Sequence, residues 1–312
     1  MTTEPSISNL QDIIFNNHFA VTMELTLPDS PEPKEVVEKA LQISPYADAL
    51  NLTDSTSAVP HFSSLAASSL LIENNIEPVM QISCRDRNRI AIQGDVIGAH
   101  AIGVRNILCV TGDGVQSGDH PEAKPVFDFD STSLISTIDH MKKTNSFLSG
   151  REFNPSLTVF IGGAVNPFAP PYDFRPLRLW KKYRAGASFF QSQFCFDIER
   201  LKSFMDQLAI YANGDVPPIL VGVGPIRSAR VAKWMSANVP GVYIPTEVID
   251  RLDSYPRKEQ SKVGIEICKE IISEIKEMPD IAGIHIMAYK WEAAAIEIVQ
   301  QTGLDKSSRQ VD

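Results

Sequence analysis

The residues able to do chemistry stand inside short apolar runs or at their ends. Glu24 lies between Met23 and Leu25 in one such run, where a carboxylate must pair, hydrogen-bond or hold its proton. That makes it a candidate acid; the structural alternative is a buried ion pair. Asp113 closes the turn Thr111-Gly112-Asp113 and is either a second acid or a loop cap. Gln191 and Gln193 alternate along one run and so point the same way, toward a ligand or toward backbone inside the fold. Thr53, Gln81 and Asn166 add a hydroxyl and two carboxamides in or at the end of other runs. Two acids, several carboxamides and little positive charge suit a neutral or weakly polar heterocycle better than a phosphosugar. They do not name a reaction.

Other chemistries find no support. His61, His100, His120, His140 and His285 are scattered, without the spacing of a metal site. Asp128–Asp130 and the aspartates of residues 112–119 lack the closing glutamate of a calcium loop. There is no nucleophile elbow, no P-loop and no G-x-G-x-x-G after the first run. Cys84, Cys109, Cys195 and Cys268 form no CxxC pair and read as small buried hydrophobes in a reducing compartment. The triplet Asn51-Leu-Thr53 matches a glycosylation acceptor, a match without meaning in a cytoplasmic chain. A formal net charge of -9 argues against nucleic-acid and anionic-membrane partners. No apolar run is long enough to span a bilayer, and Met1 to Leu10 has no signal-peptide pattern, so the cytoplasm is the expected compartment.

The elements that must position these groups form a regular series. Strands are expected at Phe19–Leu27, Ala49–Thr53, Pro78–Cys84, Asn106–Thr111, Thr158–Val165, Ser188–Phe196, Ile219–Val223 and Gly283–Tyr289. Most are continuously apolar, as strands covered on both faces are. Helical patterns separate them. Ile90, Gly94, Ile97 and Ala101 share one helical face, with Asp86 as cap and Gly103 as stop. Asp197 caps a helix carrying Leu201, Phe204 and Leu208; a later helix carries Ile265, Cys268, Ile272 and Ile275. Eight strand–helix repeats without a linker predict a single (β/α)8 TIM barrel over residues 1–305, with a polar tail over 306–312. An open doubly wound sheet is the alternative.

Several stretches resemble the methylenetetrahydrofolate reductase family in order and spacing. They are Val21-Thr-Met-Glu24, Leu50-Asn-Leu-Thr53, Cys84-Arg-Asp-Arg-Asn88, Gly98-Ala-His-Ala-Ile-Gly103 and Val110-Thr-Gly-Asp113. Gly163-Ala-Val-Asn-Pro167, Ala185-Gly-Ala-Ser-Phe-Phe-Gln-Ser-Gln193, Gly222-Val-Gly-Pro225, Val239-Pro-Gly241 and Gly283-Ile-His-Ile-Met287 continue the series. The resemblance implies an FAD-containing oxidoreductase of one-carbon metabolism, serving methionine biosynthesis, that reduces 5,10-methylenetetrahydrofolate to 5-methyltetrahydrofolate. The electron donor would be NAD(P)H or a partner protein, and the assembly a homo-oligomer. It implies that Glu24 is the general acid at folate N10, that Asp113 sits by pterin and flavin, and that Gln193 bonds the pterin edge. Thr53, Gln81, Thr111, Gly112, Asp113, Phe127, Asp128, Asn166 and Lys182 fall at its flavin-contacting positions. Gln81 stands where many members have His, and Thr111 where others have Arg. The competing expectations are a flavin-free pterin-binding barrel for methyl or one-carbon transfer, and a non-catalytic partner subunit of an electron-transfer complex.

Overall fold

The computed structural model describes residues 6–306. Eight strands run β1 Ala20–Leu25, β2 Ala49–Leu52, β3 Pro78–Ser83, β4 Asn106–Val110, β5 Phe160–Val165, β6 Phe189–Phe194, β7 Ile219–Val223 and β8 Ile281–Ile286. Each pairs in parallel with the next, and β8 returns to β1, so the sheet is a closed eight-stranded barrel. All eight overlap the runs expected from the sequence. Most of the polar tail expected over 306–312 lies outside the described residues.

Among the described residues eleven α-helices accompany the strands: α1 Asn9–Phe15, α2 Pro33–Ile43, α3 Ser64–Glu73, α4 Arg89–Ala101, α5 Ser131–Thr144, α6 Phe174–Arg184, α7 Ile198–Ala212, α8 Ala229–Asn238, α9 Thr246–Asp253, α10 Gln260–Lys276 and α11 Glu292–Gln301. Asp197 caps α7 by accepting from the Arg200 amide, and Leu201, Phe204 and Leu208 are buried. In α10, Ile265, Cys268, Ile272 and Ile275 are buried. Each such side chain contributes about 1.5–3 kcal/mol of burial.

Helix α4 departs from expectation. Ile90, Gly94, Ile97 and Ala101 do share a face, but it is the solvent face: Ile90 is 77% exposed. Ile92, Gln93, Val96 and Ala99 meet the barrel instead. The helix is apolar on nearly every side, so periodicity alone does not set its rotation. Docking on the barrel does. The start differs too: Asn88, not Asp86, accepts from the amides of Ile90 and Ala91 at 3.0 and 3.2 Å. Asp86 pairs with Arg85.

The barrel interior is filled in layers. Leu10 and Ile14 of α1 pack with Ala20, Ala49, Val79, Leu108, Phe160, Phe189 and Leu220. The Phe160 and Phe189 rings stack at 4.7 Å. Gly162 leaves room for them, since a Cβ there would strike the Phe189 ring. Glu77 accepts from the amides of Asn9 and Leu10 at 2.8 and 2.9 Å, anchoring α1 under this layer. Above it lies a polar layer, and above that the cleft.

Candidate active site

In a barrel of this kind the strands' C-terminal ends build the site. Here they enclose a cleft of about 410 Å³, within the range of small-molecule pockets. Nine of the eleven candidate residues line it: Glu24, Thr53, Gln81, Thr111, Gly112, Asp113, Asn166, Lys182 and Gln193. Phe127 and Asp128 do not. Phe127 sits in the left-handed region at φ +41 beyond the β4 loop. Asp128 is clasped by Arg89 through Nε, Nη2 and the backbone amide at 2.8, 2.8 and 2.9 Å, which holds its carboxyl down at about 2.

Glu24 sits near the top of β1, opposite Asn51 of β2. Its carboxyl has no hydrogen-bond partner among the described residues, so it opens into the cleft. Burial without a compensating cation raises its pKa from 4.5 to about 7. At neutral pH roughly half of the molecules carry the proton, which is the state a general acid needs. No buried ion pair forms there.

Asp113 follows Gly112, whose φ of +90 turns the chain sharply after β4. A side chain at Gly112 would collide with the Ser83 hydroxyl. Arg85, 3% exposed, ties this loop to the one after β2: Nη2 donates to the Ser55 carbonyl at 3.0 Å and Nη1 approaches the Asp113 carbonyl at 3.5 Å. Asp86 grips the same guanidinium at 2.8 and 2.7 Å. Gln193 accepts from the Phe194 amide through Oε1 at 2.9 Å, which leaves its NH2 group for a ligand.

The opposite wall is cationic. Lys182 is 5% exposed and donates to the Ala164 carbonyl at 2.6 Å. Desolvation, then repulsion from Arg178, lowers its pKa from 10.5 to about 8. It has no carboxylate in salt-bridge contact among the described residues, and Arg175 and Arg178 line the same wall. The side chains of Thr53 and Gln81 are likewise without partners among the described residues. A planar hydrogen-bonding cofactor with an anionic arm fits this donor set. Thr111 and Asn166 are engaged already. Thr111 bonds the hydroxyl and amide of Ser131 at 3.1 Å each, and Asn166 bonds the Gly241 carbonyl at 2.9 Å and the Phe168 amide at 3.0 Å.

Sequence reasoning missed His285, Arg85 and Arg178. The signal for His285 was present: a polar residue in an apolar run, two positions from Gly283 and Met287, is the same pattern that singled out Glu24. The four thiols are free and buried. Asn51 is fully buried, so the acceptor triplet is inaccessible. Among the described residues no helix is long and apolar enough to cross a membrane, and no three metal-ligating side chains converge.

A family model described as methylenetetrahydrofolate reductase matches residues 9–303. Methylenetetrahydrofolate reductase 1 of Schizosaccharomyces pombe is 24% identical over 238 residues, covering 73% of this chain and 36% of that protein. A probable methylenetetrahydrofolate reductase (NADPH) of Caenorhabditis elegans is 24% identical over 248 residues, covering 78% of this chain and 35% of that protein. The chain thus spans about a third of the length of the curated relatives it matches. Among solved structures, an uncharacterized protein from Clostridium thermocellum that binds two copies of 5-methyl-5,6,7,8-tetrahydrofolic acid superposes with a TM-score of 0.68. That match is 16% identical and covers 97% of this chain and all of the other; at that identity it shows the fold.

Proposed function

Because the chain belongs to the methylenetetrahydrofolate reductase family, we propose that it is a flavin-dependent reductase converting 5,10-methylenetetrahydrofolate to 5-methyltetrahydrofolate. The observation that carries this reading is Glu24: a carboxyl open to the cleft, without a protein partner, and half-protonated near pH 7.

Glu24 donates its proton to N10 of the bound folate, which opens the five-membered ring to an iminium carbon. The flavin, once reduced by the electron donor, would supply the hydride for that carbon. Gln193 orients the pterin through its free NH2 group. Asp113 places negative charge where cationic character develops on the ring. Thr53, Gln81 and the Gly112 turn would hold the flavin ring, and Lys182 would offer its positive charge to the cofactor's phosphates. The electron donor is NAD(P)H or a reduced partner protein. Four free buried thiols support a reducing, cytoplasmic setting.

A flavin-free pterin-binding barrel is the second reading, favoured by one observation. Thr111 and Asn166 are spent on protein bonds, and Phe127 and Asp128 stand outside the cleft. A visible spectrum of the purified protein, followed by FAD titration, separates the two. Flavin bands that bleach anaerobically with NADH, or with methyltetrahydrofolate run in reverse, are the expected result. A protein that stays colourless with FAD in excess overturns the flavin-dependent reading and leaves the second.

A further inference from the structure

Directly below the cleft, where such barrels usually carry branched apolar side chains, four polar side chains from four strands form a chain of hydrogen bonds. Asn51 of β2 and Gln191 of β6 exchange two bonds, at 2.6 and 3.0 Å. Gln191 also donates to the Thr22 hydroxyl of β1 at 3.3 Å, and that hydroxyl meets Nδ1 of His285 on β8 at 3.0 Å. All four residues are 3% exposed or less. A buried polar layer costs stability unless its members are satisfied, and a partly satisfied one calls for a ligand.

One tautomer of His285 accommodates all three bonds of the Thr22 hydroxyl. The Thr22 hydroxyl has one proton, and the Ile284 carbonyl at 3.4 Å can only accept it. The hydroxyl oxygen then accepts from Gln191 and from the Nδ1–H of His285. In this arrangement the Thr22 hydroxyl and both Gln191 donors are satisfied, and Nε2 of His285 keeps a bare lone pair. The Thr22 backbone carbonyl is a further acceptor for the ring, and no side chain among the described residues bonds Nε2. Nor is it one of their buried orphan atoms, which are Asn106 Oδ1 and Asn145 Oδ1. His285 lines the cleft, and Nε2 is the ring nitrogen free to meet a ligand there. Glu24 lies one inward position above Thr22 on β1, and Thr22 is the register partner of His285.

We propose that His285 is a ligand-contacting residue whose Nε2 accepts a hydrogen bond from a ring N–H of the bound reduced pterin, with Thr22, Gln191 and Asn51 as positioning residues. The inference rests on the folate reading above and adds to it a second contact, on the cleft floor. Burial lowers the imidazole pKa to about 4, so the acceptor persists across the range in which Glu24 titrates. The floor thereby pairs a group that exchanges its proton with one that does not, and the second can hold the heterocycle while the first acts.

The test is 15N NMR of histidine-labelled protein with methyltetrahydrofolate as the probe. The His285 signal is assigned by His285→Gln or, where that variant fails to fold, by substituting the other five histidines in turn. The expected free-state spectrum has a protonated Nδ1 and an unprotonated Nε2, and saturating ligand moves the Nε2 resonance. In calorimetry, His285→Gln weakens methyltetrahydrofolate binding about tenfold while FAD affinity stays unchanged. An Nε2 resonance that ignores bound ligand, or a free-state proton on Nε2, overturns this inference alone. Absence of any methyltetrahydrofolate binding by the wild type overturns the folate reading and this inference with it.

Discussion

Glu24→Gln should make the protein more stable at the pH where it makes the enzyme inactive. The Glu24 carboxyl titrates near 7 in the fold against 4.5 in the unfolded chain. Below 4.5 both states hold the proton and the group is neutral in the balance. Between 4.5 and 7 only the folded state keeps it, so unfolding releases a proton and stability falls as pH rises. Above 7 the folded state carries a desolvated charge, and the loss is complete at about 3 kcal/mol. Gln cannot ionise and escapes that loss. Thermal unfolding of wild type and variant should therefore nearly coincide at about pH 4. By about pH 8 the variant should melt roughly 6 °C higher, taking ~2 °C per kcal/mol for a chain of this size. In stopped-flow, flavin reduction by the donor should survive, and folate reduction should fall by about 10²–10⁴. Parallel unfolding profiles across this pH range would refute the reasoning, because they would mean that Glu24 ionises as an ordinary solvated or paired carboxylate.

Three further expectations follow from the same geometry. Lys182→Met should raise the dissociation constant for FAD about tenfold in fluorescence titration. Wild-type affinity should weaken above pH 8, where the lysine, held at about 8, sheds its charge; equal FAD affinity in wild type and variant would deny the phosphate contact. Gly162→Ala drives a methyl group into the Phe189 ring inside the barrel and should cost about 2 kcal/mol in urea unfolding, with near-wild-type stability as the contrary result. The thiols of Cys84, Cys109, Cys195 and Cys268 are no more than 1% exposed, and burial pushes them well above the ordinary range. A thiol-exchange reagent should find none of them in the native state and all four in denaturant; rapid native labelling would contradict the packing.

Strand count, parallel pairing and closure are legible in the sequence because a strand covered on both faces must be apolar at every position. Such runs as Ile219–Val223 announce themselves without tertiary knowledge. Glu24 is legible for the same reason, since a lone carboxylate in such a run conflicts with its surroundings. The caps of α7 and the buried face of α10 follow from local hydrogen bonding and 3.6-residue periodicity. What the sequence leaves open is whatever depends on a second element. The rotation of α4 was ambiguous because nearly every side of it is apolar, and only docking on the barrel selected Ile92 and Val96 over Ile90 and Ile97. Whether Asp128 faces a cofactor or an arginine depends on Arg89, 39 residues away in the chain. His285 meets Thr22 only because closure of the barrel sets β8 beside β1. Pairing, burial and charge compensation between distant residues are properties of the folded chain, and they are what turned a list of polar residues into a site.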